Sequence, residues 1–118
     1  MSITFLKVKV INPEQPGKTK ECEFLVDSGA VYSVVPQNIL KKLGIRPTSS
    51  REFILTNGEF FKKPVGNAYF KYKGQVAAAP VVFGVNDVFL LGATTLEALG
   101  MILDPIKREI KPLPMVLM

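Results

Sequence analysis

Phe24-Leu25-Val26-Asp27-Ser28-Gly29-Ala30 is the stretch on which the reading of this chain turns. Three apolar residues in a row read as the end of a buried strand, and they deliver the chain to a carboxylate, a hydroxyl and two small residues. Asp-Ser-Gly alone carries little weight: at average residue usage it arises by chance in about one chain in twenty of this size. An aspartate before a glycine can also be an Asx-turn that does no more than shape a loop. The surroundings decide what the triplet is worth.

On the N-terminal side, residues 3 to 11 alternate apolar and polar side chains and predict a strand. Asn12 to Gly17, with two prolines, predicts a loop, and a second strand runs from about Thr19 to Val26. On the C-terminal side a short strand, Val31 to Val35, leads to Pro36 and a short helix over residues 37 to 43, with Gly44 as its stop. Phe53-Ile54-Leu55 and Phe60-Phe61 flank Thr56-Asn57-Gly58-Glu59, and Asn-Gly between apolar runs is a hairpin signal because both residues tolerate positive φ. Pro64 and Gly66 read as punctuation between strands, and Gly74 separates two more, at about 65 to 73 and 75 to 83. About sixty residues after Asp27 comes a second apolar run closed by glycine, Leu90-Leu91-Gly92. It leads into a helix with a capping-box pattern, Thr94 to Glu97, and a terminating Gly100. Strands at about 101 to 103 and 108 to 117, joined by an Asp104-Pro105 turn, finish the chain. The sum is a mostly β domain with two short helices, one domain over residues 1 to 118, without repeats or linkers.

Composition removes most catalytic chemistries. The chain of 118 residues has no histidine and one cysteine, Cys22, which rules out Ser-His-Asp and Cys-His nucleophiles and leaves no plausible zinc site. No metal and no cofactor are expected. Carboxylates, hydroxyls, lysines and backbone groups remain, and of ten carboxylates only Asp27 sits in a distinctive context; Asp87 and Asp104 read as turn residues and Glu97 as a capping group. The net charge of +5 comes from scattered lysines not interleaved with aromatics, so neither nucleic acid nor a membrane surface is expected as partner. No run approaches the roughly 18 apolar residues a spanning helix needs, and the N-terminus lacks the pattern of a signal peptide. With a lone cysteine, cytoplasmic residence is the expectation.

Taken together and in order, these features resemble the aspartic peptidases of the retropepsin type, in their single-domain, non-retroviral form. Phe24 to Ala30 resembles the catalytic loop, Leu90-Leu91-Gly92-Ala93 and its helix the second signature, and Asn57-Gly58 falls where the flap belongs. The resemblance implies a closed, barrel-like β fold that forms a symmetric homodimer, with Asp27 of each subunit forming the catalytic pair. It implies that Ser28 braces its counterpart across the two-fold axis, and that Gly29 and Ala30 let backbone and substrate approach the carboxylates closely. Gly29, Thr56, Asn57, Gly58, Leu90 and Leu91 become the substrate-binding residues, and the substrate becomes an extended polypeptide. Phe53, Phe60 and Phe61 are then flap or pocket residues, unless they bury against the body of the domain. Tyr32 falls close to the catalytic loop.

Elementary chemistry leads to the same arrangement. Amide hydrolysis by carboxylates needs one group to accept a proton from water and another to supply one, and two carboxyls about 3 Å apart share a single proton and so fill both roles. A chain with one such loop obtains the pair by two-fold association. The alternatives are a catalytically silent dimer of the same fold that binds peptide or protein, and a basic nucleic-acid-binding β domain. Two departures stand out. Retroviral members usually carry an aspartate after the alanine and an arginine after the second glycine, whereas this chain has Val31 and Ala93. Both partners are missing together, so no unpaired charge is left behind.

Overall fold

Alternation in the first strand puts Val8 and Val10 inward, and in the second Cys22, Phe24 and Val26, so the two pair naturally as an antiparallel ribbon. In the computed structural model, which describes residues 4–55, 57–104, 106–107 and 109–114, these are β1 (Phe5–Ile11) and β2 (Thr19–Val26), in register from Phe5↔Leu25 to Ile11↔Thr19. β3 (Ser33–Pro36) leads into α1 (Gln37–Lys42), which ends where Gly44 takes a φ of 76°. Then come β4 (Ser49–Ile54), β5 (Phe60–Tyr72) and β6 (Gln75–Gly84). The two-residue β7 (Leu90–Leu91), α2 (Ala93–Ala98), β8 (Met101–Leu103) and β9 (Ile110–Pro112) complete the described chain.

The main sheet has the order β1-β2-β7-β3-β6-β5-β4, and β1 also pairs with β5 through Lys9↔Lys71 to Ile11↔Tyr69. Strand pairing therefore returns on itself, and β4 extends from β5 beyond β1. Its decisive feature is β7, which lies between β2 and β3, parallel to the former and antiparallel to the latter. This insertion brings Leu91, about sixty residues downstream, alongside Val26. Val8, Val10, Phe24, Val35, Phe70, Val81 and Leu91 of the sheet and Leu40 of α1 are fully buried, each contributing about 1.5–3 kcal/mol by leaving water. Phe24 meets Phe70 and Phe89 edge-to-face at centroid distances of 6.3 and 5.8 Å.

Several sequence expectations are corrected. Pro64 and Gly66 do not divide strands: β5 runs unbroken for 13 residues through both. At Pro64 the strand has a partner on one edge only, because pairing with β6 begins at Val65, so a residue without an N–H is tolerated. Gly66 is required by closeness, since a Cβ there would stand 2.8 Å from the Arg46 carbonyl oxygen. The hairpin expected at Asn57-Gly58 does form between β4 and β5, with Gly58 at a φ of 86°, and a two-residue turn with positive φ at both positions, Lys73-Gly74 (47° and 82°), joins β5 to β6. β3 begins at Ser33 rather than Val31. The capping box Thr94 to Glu97 does not form; α2 starts from Gly92 with no side-chain cap. In the last segment β9 covers only Ile110–Pro112, and residues 115–118 lie outside the described residues. No helix of the described residues is long and apolar enough to cross a membrane.

Candidate active site

Asp27 stands where β2 ends, and three hydrogen bonds fix the turn that follows. Its N–H donates to the Leu91 carbonyl (3.0 Å), its carbonyl accepts from the Ala30 N–H (3.1 Å), and its Oδ1 accepts from the Gly29 N–H (3.0 Å). The last is an Asx-turn, so the local reading of the triplet is correct and the turn itself aims the carboxylate. A Cβ at Gly29 would lie 3.2 Å from that oxygen and crowd it. Asp27 and Ala30 are half-buried, while Ser28 and Gly29 are exposed.

The second signature carries this loop on its backbone. Ala93 donates its N–H to the Ala30 carbonyl (2.8 Å) and Thr94 donates to the Val31 carbonyl (3.0 Å). Those are the first N–H groups of α2, which would otherwise lack acceptors, so the Asp27 loop caps the helix and the capping box is dispensable. Gly92 donates its N–H to the Ser33 Oγ (3.0 Å), and the Ser33 hydroxyl bonds that of Thr95. Both hydroxyls are fully buried. Sequence reading passed over this pair. The available signal was that Thr95 falls with Leu96 and Leu99 on the buried face of α2, where a polar residue needs a partner.

Gly29 and Ala30 form one end of a cleft of about 470 Å³ that also contains Val31, Tyr32, Val34, Phe53, Phe61, Lys63, Val82 and Val85. The β4–β5 hairpin roofs it. Phe53 and Phe61 pair across the hairpin with rings 5.7 Å apart, and Phe53 meets Tyr32 edge-to-face at 6.5 Å. These two phenyls are therefore cleft residues, whereas Phe60 is not among the lining residues and is 66% exposed. At the tip, Leu55 donates its N–H to the Glu59 carbonyl, Gly58 donates to the Leu55 carbonyl, and the Asn57 Oδ1 accepts from the Glu59 N–H. Asn57 and Gly58 are exposed; Thr56 lies outside the described residues.

Leu90 is half-buried. Leu91 is a correction: with no exposed surface it belongs to the core beneath the loop, so it walls the loop from below and cannot line a substrate pocket in this chain. Tyr32, which the sequence could not place, lies in the cleft wall. Another cavity, of about 410 Å³ and lined by Tyr72, Leu99, Met101 and Ile110 among others, shares no residue with the cleft. Among the described residues no cluster of side chains is suited to hold a metal ion.

A family model described as aspartyl protease matches residues 8–102, which include the Asp27 loop, the hairpin and the second signature. The chain belongs to the aspartyl protease family. Among solved structures, the chain is similar to the protease of simian foamy virus (mac), with 21% identity over 80% of this chain and 92% of that one and a TM-score of 0.57. It is also similar to the EIAV protease, solved with the inhibitor HBY-793, with 19% identity over 84% and 89% of the two chains and a TM-score of 0.66. The fold is thus retropepsin-like. A search of curated protein sequences returns no match.

Proposed function

We propose that the protein is an aspartic endopeptidase in which two copies of the chain associate so that their Asp27 carboxyls share one proton across a two-fold axis. The observation that carries this reading is the coincidence of three things at one place: a carboxylate aimed by the Gly29 N–H, an apolar cleft that starts at Gly29, and a hairpin roof over the cleft. Asp27 adjoins the cleft through Gly29, and no Asp or Glu is among the residues that line it, so the second acid comes from elsewhere, and a second copy supplies it with matching geometry. The Ser28 hydroxyl makes no hydrogen bond among the described residues and is free to brace the other loop. Val31, 66% exposed beside the loop, is apolar surface that association would cover.

In this mechanism a water held between the carboxyls loses a proton to the ionised one and attacks the scissile carbonyl, while the protonated one donates to the carbonyl oxygen. No covalent acyl intermediate forms. Asn57 and Gly58 close over an extended peptide and offer it backbone groups, Leu90 borders the site beside the loop, and the closed circuit of strand pairing serves as the rigid barrel beneath it.

Peptide-library cleavage between about pH 3 and 7, with wild type beside Asp27→Asn, tests the proposal. The substitution is expected to lower kcat/KM by at least about 10³-fold, since it removes the proton-sharing acid; cleavage that survives it eliminates the assignment. Gel filtration should give a species of twice 13.0 kDa. Tight peptide binding by a dimer that cleaves nothing would move the reading to a silent peptide-binding module.

A further inference from the structure

The roof of the cleft carries uncompensated positive charge. Side chains alternate across a strand, so in the β4–β5 register, where Arg51 opposes Lys63 and Phe53 opposes Phe61, these four share one face. That face is the cleft side: Phe53, Phe61 and Lys63 line the cavity, and Arg51, exposed at its edge, holds its guanidinium 5.6 Å from the centroid of the Tyr32 ring in the cleft wall. On the opposite face the charges are complementary, Glu52 against Lys62. Like charges directly opposite each other in an antiparallel pair cost stability, so the cleft face is the less favourable of the two arrangements. Among the described residues no ion pair relieves it, and Arg51 rests over the Tyr32 ring instead. Lys63 is the only charged residue among those lining the cleft, and it is half-buried. The one ion pair among the described residues, Lys111 with Asp104, involves neither cation.

From this juxtaposition we propose that Arg51 and Lys63 form an acidic-side-chain subsite, so that the preferred substrate is an extended, mostly apolar peptide carrying Asp or Glu at the position that lies under them. The proposal rests on the peptidase reading for its substrate, and it adds the specificity-determining residues. A carboxylate entering the cleft would find an ammonium and a guanidinium on one face of the roof, walled by Phe53, Phe61, Tyr32 and Val82. A partly desolvated site of this kind strengthens a charge-assisted hydrogen bond. A neutral isostere of the acid loses that bond and leaves the cations as they are in the free protein.

The test compares peptides that differ only by Glu or Gln at each position in turn. Wild type is expected to favour Glu by about tenfold in kcat/KM at one position and one only, the size expected of a charged hydrogen bond in a half-exposed site. Lys63→Met or Arg51→Gln should bring that ratio to within about threefold of unity, and Lys63→Glu should reverse it in favour of a Lys-containing peptide. Because each ratio is taken within one protein, a general loss of activity does not mimic the effect. A wild-type ratio near one at every position overturns the proposal, as does a tenfold ratio that persists in both neutral variants. Should no peptide be cleaved at all, the peptidase reading fails on its own. Fluorescence-anisotropy binding of the same labelled peptides to Asp27→Asn protein then decides the subsite by the same ratios.

Discussion

Replacing Gly92 by alanine should be among the most damaging one-carbon changes available in this chain. The backbone there, φ −89° and ψ 172°, suits any residue, so the cost is one of space. A Cβ would stand 2.6 Å from the Tyr32 carbonyl carbon, 2.7 Å from its oxygen and 2.9 Å from the Ala30 oxygen. All three are main-chain atoms of the loop that carries Asp27, and they cannot swing aside as a side chain can. Backing the loop away would break the bonds from Ala93 to Ala30 and from Thr94 to Val31, together worth about 1–3 kcal/mol. Whatever overlap remains adds about 1–3 kcal/mol of overpacking. A total near 4 kcal/mol is a large part of the 5–15 kcal/mol that domains possess. At about 2.1 cal/mol/K per residue, 118 residues give an unfolding entropy near 0.25 kcal/mol/K, so Tm should fall by about 16 °C. Calorimetry at one fixed protein concentration makes the measurement, because self-association shifts Tm by mass action. Gly17→Ala is the control: nothing lies within 4 Å of its added carbon, and a change within about 0.5 kcal/mol is expected. A Gly92→Ala protein that melts within about 4 °C of wild type would refute the close approach of loop and second signature.

The buried hydroxyls make a second prediction. Ser33→Ala strips an acceptor from the Gly92 N–H and a partner from Thr95 and should cost about 2–4 kcal/mol in urea denaturation, while Thr95→Val should cost about 1–2. The double variant should cost less than the two together, by about 1 kcal/mol, because the orphaned Thr95 hydroxyl is gone; strict additivity would deny the contact. A third concerns the β8–β9 turn. The Asp104 carboxyl is held below its ordinary value of 3.8 by hydrogen bonds from the Lys107 and Ile106 N–H groups and then by Lys111. A depressed folded-state value means that this carboxylate stabilises the turn above about pH 4 and that the contribution is lost as pH falls through the lowered value. NMR titration of the Asp104 carboxyl carbon should show the depression, and Lys111→Met should remove only a part of it; a midpoint at or above 3.8 in wild type contradicts the geometry.

Local signals made much of this fold legible. β2 ends where its apolar run meets Asp27, Gly44 and Gly100 stop the two helices with φ of 76° and 74°, and the β4–β5 hairpin falls on either side of Asn57-Gly58. Each of these depends on residues within a few positions of one another. What could not be read was non-local. No local pattern says that a two-residue strand will slide between β2 and β3, so Leu91 looked like a pocket wall until its place in the core was known. Pro64 argued for a break because the missing neighbour on one edge of β5 is a tertiary fact. The Thr94 to Glu97 motif went unused because a better set of acceptors, the carbonyls of residues 30 and 31, arrives from the other end of the chain.

That last exchange bears on the two departures from the retroviral pattern. The positions where retroviral enzymes usually carry a side-chain ion pair are Val31 and Ala93 here, and it is the main chain that joins these stretches, through Ala93 to Ala30 and Thr94 to Val31. A buried or half-buried ion pair returns little net stability once desolvation is counted, whereas two short backbone bonds that also cap a helix satisfy groups that would otherwise be left unpaired. The loop is thus held without charge, and the Ser33–Thr95 pair locks Gly92 against it from behind. Freed of that structural duty, the charge around the cleft is concentrated instead on the hairpin roof, at Arg51 and Lys63. A chain arranged in this way has separated the parts that hold Asp27 from the parts that meet a ligand. Substitutions in the first set should therefore register in denaturation before they register in peptide preference, and those at Arg51 and Lys63 in the opposite order.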